Sequence, residues 1–327
     1  MTKVLYIGGY SRSGSTLLDR MLGQLPGYVS TGELGYLTTH SLEENRLCGC
    51  GVRFLDCPFW TRVGQEAFGG WDTPDGRDLR RLYPQVTRHR YIPWLLLPSL
   101  RPGFRRKLGR YAELLGRLYP AIARVGRAEV VVDSTIDPSR AFVLRRVPGI
   151  DLRILHLTRD SRGTAFSWTK VLTMKDSVDA VVYKGTLPPG LVALRWMLYH
   201  LMIHGLGLLD GGQLVVRYED VVQAPRRQLR RVAAYLGGGL DDRDLGFVAG
   251  GSVRLAADHT AVGNDMRFHT GDVRLRVDDE WRRALPAGQR RMVTVLTWPF
   301  LKRYRYVGPA SGQAEATASA ARVRDVT

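Results

Sequence analysis

The stretch VLYIGGYSRSGST, residues 4–16, restricts the possible folds of this chain more than any other. A short apolar run (Val4, Leu5, Tyr6, Ile7) predicts a buried parallel strand. Gly8, Gly9 and Gly14 punctuate a tight loop, and Ser15 to Gln24 reads as a helix with Leu17, Leu18, Met21, Leu22 and Leu25 at helical spacing. Glycines let successive backbone N–H groups point inward, and the helix start adds its dipole, so a strand, loop and helix in this order can hold a phosphate or sulfate. The nucleotide-triphosphate pattern GxxxxGK[ST] is nearly met from Gly9, but Ser15 stands at the lysine position and is followed by Thr16. The cation sits inside the loop instead, at Arg12. Its fixed fork of donors suits a single tetrahedral anion. For this loop alone, a chance glycine turn before a helix remains the alternative.

Further strand and helix patterns follow in alternation. Residues 130–133 (VVVD) and 152–158 (LRILHLT) are apolar runs of strand length, and each precedes a helical segment, at 141–146 and from Thr164 through Ser167 and Trp168. A basic and apolar helix over 194–209 leads into a strand at 213–217. This alternation predicts an α/β fold of P-loop-like type, three layers with a central parallel sheet flanked by helices. The 327 residues suffice for one large domain, taken as 1–307 with a helical or irregular insertion around 39–127; the small, polar residues 308–327 read as a disordered tail. Within the insertion, Pro93, Pro98 and Pro102 are expected to prevent a long amphipathic helix, and the stretch reads as pocket lining more readily than as a membrane-surface segment.

Two carboxylates deserve weighing. Glu33 follows the turn at Gly32, and loops leaving parallel strands gather round one ligand, so this acid can reach the cleft of the first loop; a solvated or helix-capping glutamate is the alternative. Asp133 ends a strand, as a magnesium-binding acid of a P-loop kinase would.

The run Arg12-Ser13-Gly14-Ser15-Thr16 resembles the 5′-phosphosulfate loop of sulfotransferases that use 3′-phosphoadenosine 5′-phosphosulfate (PAPS). Arg159 and, eight positions on, Ser167 resemble the 3′-phosphate site of the same family, RDPRGxxxS, with Ser161 in place of the usual proline. A bidentate arginine, a helix N-terminus and a hydroxyl together suit such a phosphate. Tyr218-Glu219-Asp220 is similar to the family segment whose tyrosine contacts the cofactor, and GNDMRF (263–268) with VRLRVDDEWRRAL to its late nucleotide loop, where Arg267 is the residue expected near a phosphate. The resemblance, which extends over residues 3 to about 307, implies that Glu33 is the base, Arg12 the catalytic cation, and PAPS the co-substrate, with no metal. It implies transfer of a sulfuryl group to a hydroxyl of a small molecule or glycan, the acceptor and the oligomeric state being left open. One departure stands out: relatives carry a lysine shortly after the acidic strand end, and the run Asp133-Ser134-Thr135-Ile136-Asp137 has none. A P-loop kinase and a non-catalytic nucleotide-binding module remain the alternatives.

The net charge of +17 favours anionic partners, but it comes mostly from scattered arginines without an RNA-binding or zinc-finger signature, so nucleic acid is not expected as a partner. Three cysteines, Cys48, Cys50 and Cys57, lie in one segment; an odd, small count argues against a disulfide framework and fits a reducing compartment. A zinc site needs a fourth ligand, for which His40 is the nearby candidate, and local packing of the thiols is the preferred reading. The apolar stretch 191–209 is broken by Arg195, His200 and His204, which suits a buried amphipathic helix better than a membrane span. With no charged and apolar leader pattern at the start, a soluble cytoplasmic protein is expected.

Overall fold

The computed structural model describes residues 1–174, 182–209 and 211–308. The expected tail beyond Gly308 lies outside the described residues. Strand β1 (Thr2–Gly9) runs straight into the loop Tyr10 to Gly14 and helix α1 (Ser15–Gly23), so Gly8 and Gly9 belong to the strand. Strand β2 (Tyr28–Ser30) follows, then a 3-10 turn (Leu34–Tyr36) and a π-helical turn (Leu37–Glu43). The insertion is helical: α2 (Pro58–Phe68), α3 (Pro74–Val86), α4 (Ile92–Leu96) and α5 (Pro102–Val125). Its prolines act differently from expectation. Pro102 sits at the start of α5, where a missing N–H costs nothing, and opens a 24-residue helix rather than preventing one.

Strand β3 (Val130–Ile136), helix α6 (Pro138–Leu144), strand β4 (Ile150–Thr158) and helix α7 (Ser161–Ser167) come next. They are followed by the short pair β5 (Leu172–Met174) and β6 (Val182–Lys184), helix α8 (Pro189–Leu209), strand β7 (Leu214–Arg217), and helices α9 (Tyr218–Gln223) and α10 (Pro225–Tyr235). A small antiparallel sheet, β8 (Val248–Ala249), β9 (Ser252–Leu255) and β10 (Gly271–Arg274), precedes helices α11 (Trp281–Ala284) and α12 (Ala287–Arg303).

The central sheet has five strands in the order β2-β3-β1-β4-β7, with every pairing parallel. Strand alternation builds two cores: Val4 and Tyr6 of β1 face a layer containing Leu114, Leu118 and Phe142, whereas Leu5 and Ile7 face Leu18, Leu22 and Leu229. The result is the expected three-layer α/β architecture with helices on both faces. Connections leave β1 toward β2 on one side, and β4 continues the sheet on the other. The carboxyl ends of β1 and β4 therefore flank the topological switch point where such sheets form their crevice.

Helix α8 is, by length and composition, the described helix long and apolar enough to cross a membrane. The sequence leads one to expect a buried amphipathic helix, and one face is buried: Val192, Trp196, His200 and Ile203 pack inward, while Leu194, Leu198 and Leu201 are each more than half exposed. Its partners there are α12, α7, α6 and β1.

Candidate functional site

The loop after β1 takes its shape from two residues with positive φ, Arg12 (φ 67°) and Gly14 (φ 84°). Only glycine fits at position 14, because a Cβ there would lie 2.5 Å from the ring of Tyr218. As N-cap of α1, Gly14 has no side chain to accept the first helical N–H groups, and no acid stands in the first turn. Those donors and the positive end of the helix dipole are thus offered to a ligand. The Arg12 guanidinium lies 4.6 Å over the Trp168 ring, with its Nη1 and Nη2 buried and without a hydrogen-bond partner among the described residues. Burial lowers its pKa, and the like charge of Arg159 acts in the same direction. Guanidinium nitrogens withdrawn from water without a partner are costly unless an anion joins them.

Arg159, at the carboxyl end of β4, is nearly buried. Its Nη1 donates to the carbonyl of Arg12 (2.7 Å), its Nη2 to Asp278 Oδ2 (2.7 Å), and its guanidinium lies 5.0 Å over the Tyr218 ring. Tyr218 thereby braces both the Arg12 loop, through Gly14, and Arg159. Burial raises the Tyr218 pKa, which keeps its hydroxyl protonated.

These groups open on one cavity of about 360 Å³, lined by Arg12, Gly14, Ser15, Thr16, Glu33, Arg159, Ser167 and Tyr218 among others. Residues from four segments far apart in sequence are thus brought together. Ser13 is buried and does not line the cavity. Ser167 lines the cavity as the last residue of α7, a helix that begins at Ser161 rather than at the expected Thr164. The N-terminus of α7 is capped by the Asp160 side chain, which accepts from Arg162 N (2.9 Å), so its dipole is already answered. Arg267 goes elsewhere altogether. It is buried, donating to the carbonyls of Leu47 (3.0 Å) and Gly263 (3.4 Å) and lying 4.7 Å over Phe268, outside the cavity lining. Arg274 and Arg276 line the cavity in its place. Both belong to the late segment in which Arg267 is the residue expected near a phosphate, and they form an Arg-x-Arg repeat at the end of β10.

Glu33 is positioned by its backbone. Its N–H donates to Val262 O (2.9 Å), and Gly32, at φ 72°, approaches that same carbonyl so closely that a Cβ would lie 2.2 Å from it. Ile136, at the position where a lysine is missing, also lines the cavity. β3 carries one more residue than β1 between the pairs Tyr6 with Asp133 and Gly8 with Ile136, and this bulge delivers Ile136 at φ 60°, a strained conformation for a β-branched side chain. Asp133 does not face the cavity. It is fully buried, accepting from Tyr119 Oη (2.5 Å) and Thr135 N (3.0 Å), with Arg140 Nε 3.8 Å away, so it is a structural ion and is not offered to magnesium.

No family model and no curated protein matches the chain. Among solved structures, the sulfotransferase domain of the olefin synthase of Synechococcus PCC 7002 matches with a TM-score of 0.51 at 20% identity, covering 94% of this chain and 95% of that one. The sulfotransferase domain from the curacin biosynthetic pathway matches with a TM-score of 0.46 at 17% identity, covering 91% and 98%. The first of these likenesses shows the fold: the chain has the three-layer fold of a sulfotransferase domain.

Proposed function

We propose that this chain, folded like a sulfotransferase domain, transfers a sulfuryl group from PAPS to an acceptor hydroxyl and releases adenosine 3′,5′-bisphosphate. The observation that carries this reading is the convergence of an uncapped helix N-terminus, a half-buried Arg12 whose Nη1 and Nη2 are buried without a hydrogen-bond partner among the described residues, and Arg159 on one cavity that also contains a carboxylate, Glu33. The donor supplies an activated sulfuryl group: its S–O bond to the bridging phosphate oxygen breaks as the acceptor oxygen bonds to sulfur. Glu33 takes the acceptor's proton. Arg12 and the N–H groups at the start of α1 hold the charge that collects on the bridging oxygen. Arg159, Ser167 and Tyr218 hold the nucleotide, with Arg274 and Arg276 closing on it. Ile136 supplies no cation, so Arg12 bears the electrostatic work that relatives share with a lysine. The reaction needs no metal, the acceptor is a small-molecule or glycan hydroxyl, and the compartment is the cytoplasm. Residues 1–307 act as one domain.

Thermal melting with adenosine 3′,5′-bisphosphate, compared with ATP plus magnesium, tests the reading. At a hundred times its dissociation constant a ligand stabilises by about 2.7 kcal/mol. A shift with the bisphosphate alone is expected. A shift only with ATP and magnesium points to a kinase, and no shift with either overturns nucleotide binding.

The Arg159–Asp278 pair gives a second test. A 3′-phosphate at Arg159 must share or displace that carboxylate, so Asp278→Asn should tighten bisphosphate binding severalfold. Arg159→Ala should weaken it by about 2 kcal/mol, roughly 30-fold. Calorimetric titration of both variants checks the opposite signs; equal affinities would remove Arg159 from the phosphate site.

A further inference from the structure

The three cysteines do not simply pack together. Cys48 and Cys50 sit on a tight hairpin turn closed by Cys48 N to Val52 O (2.7 Å) and Gly51 N to Cys48 O (2.8 Å), and Cys57 is the N-cap of α2. His40, the fourth ligand expected from sequence, is turned away into a pair with Glu44 (2.9 Å). His259 arrives instead, from a segment some two hundred residues later. Its Nδ1 lies 3.4 Å from Cys57 Sγ and 4.0 Å from Cys48 Sγ, and Cys50 Sγ lies 3.7 Å from Cys57 Sγ. All four ligand atoms fall within 4.8 Å of one another. Zinc bonded tetrahedrally to three sulfurs and one nitrogen sets ligand-to-ligand edges of about 3.8 Å for S···S and about 3.5 Å for S···N. The observed separations bracket those edges.

The surroundings fit a metal shell as well. The His259 ring stacks on Phe59 (centroids 4.8 Å apart, 2° between planes), and its carbonyl accepts from Trp60 Nε1 (2.8 Å). The imidazole is thus oriented by the helix that carries Cys57. We propose that Cys48, Cys50, Cys57 and His259 bind one Zn²⁺ as a closed structural site.

Four protein ligands leave no open position, so the metal takes no part in the transfer chemistry. Its place in the fold gives it a mechanical role. It ties the hairpin and α2 to the segment around His259, which continues through Gly49 N to Thr260 O (2.9 Å) and Ala261 N to Thr31 O (2.9 Å) to the carbonyl of Val262 that holds Glu33.

The test uses the full chain purified under reducing conditions. Elemental analysis should give one equivalent of zinc, and the metal-stripped protein titrated with Co²⁺ should show the intense visible bands of tetrahedral thiolate-bound cobalt, saturating at one equivalent. Cys50→Ser and His259→Asn, each confirmed as folded by circular dichroism, should lose the bound zinc. Wild-type protein that retains no zinc and gives only the faint spectrum of aquated cobalt overturns the site. So does a tetrahedral cobalt spectrum that survives unchanged in folded Cys50→Ser. The wild-type cobalt titration decides the matter even if both variants fail to fold.

Discussion

Glu33→Gln is expected to lower turnover by about 10²–10⁴-fold and to leave the affinity for adenosine 3′,5′-bisphosphate unchanged. The amide keeps the volume of the carboxylate and much of its hydrogen bonding, so the cavity wall stays in place. What it loses is the capacity to accept a proton. The backbone contact to Val262 O does not involve the side chain and should survive the substitution. Steady-state turnover with PAPS and an accepted hydroxyl substrate, paired with calorimetric binding of the bisphosphate, separates the two quantities. Normal turnover in the variant would remove Glu33 from the chemistry and leave it as a wall of the cavity.

Arg140→Ala is expected to cost about 3–5 kcal/mol of folding stability, the loss associated with stripping one partner from a buried ion pair. Arg140 is fully buried, donating to Tyr111 Oη (2.8 Å) and Tyr119 Oη (3.0 Å), and Tyr119 in turn donates to Asp133 (2.5 Å). Burial opposes the charge of Arg140, but the two tyrosines and Asp133 more than offset it, holding the guanidinium well above its ordinary pKa. Removing the cation strands Asp133 in the core beneath the bulge that presents Ile136. Urea denaturation measures the change. The double variant Arg140→Met with Asp133→Asn should recover a large part of the loss, since neither charge is then left alone; a single-variant cost below about 1 kcal/mol would show that the network carries no net charge pairing.

The sheet and the first loop were legible because their signals are local. Residues 4 to 7 are apolar without interruption, as a strand covered on both faces must be, and the glycines beside Arg12 announce a turn. Arg12, Glu33, Arg159, Ser167 and Tyr218 are placed in one cleft by the resemblance of their motifs to those of PAPS sulfotransferases, and the physical reason they can meet is that all follow carboxyl ends of parallel strands or short helices leaving them. The misses have a common cause in contacts made across long sequence separations. Nothing adjacent to Cys57 indicates His259, and nothing at Arg267 indicates that its donors are spent on the carbonyls of Leu47 and Gly263. Residue 136 failed for another reason. Its identity was noted, but a bulge and a left-handed backbone at a β-branched residue are set by pairing register, which no periodicity in the sequence displays.

The dependence of Glu33 on Val262 also has a consequence in time. During synthesis all five strands of the central sheet are present once Arg217 has emerged, and with them the loops bearing Arg12 and Arg159. The carbonyl that fixes the turn at Gly32 and Glu33 belongs to a residue made later, as do Arg274 and Arg276. The strands of the sheet, Arg12 and Arg159 are therefore made before the residue that holds the Glu33 turn. On the proposed reading, the groups that hold phosphate are made early in the polypeptide, and the residue that fixes the turn of the proton acceptor late.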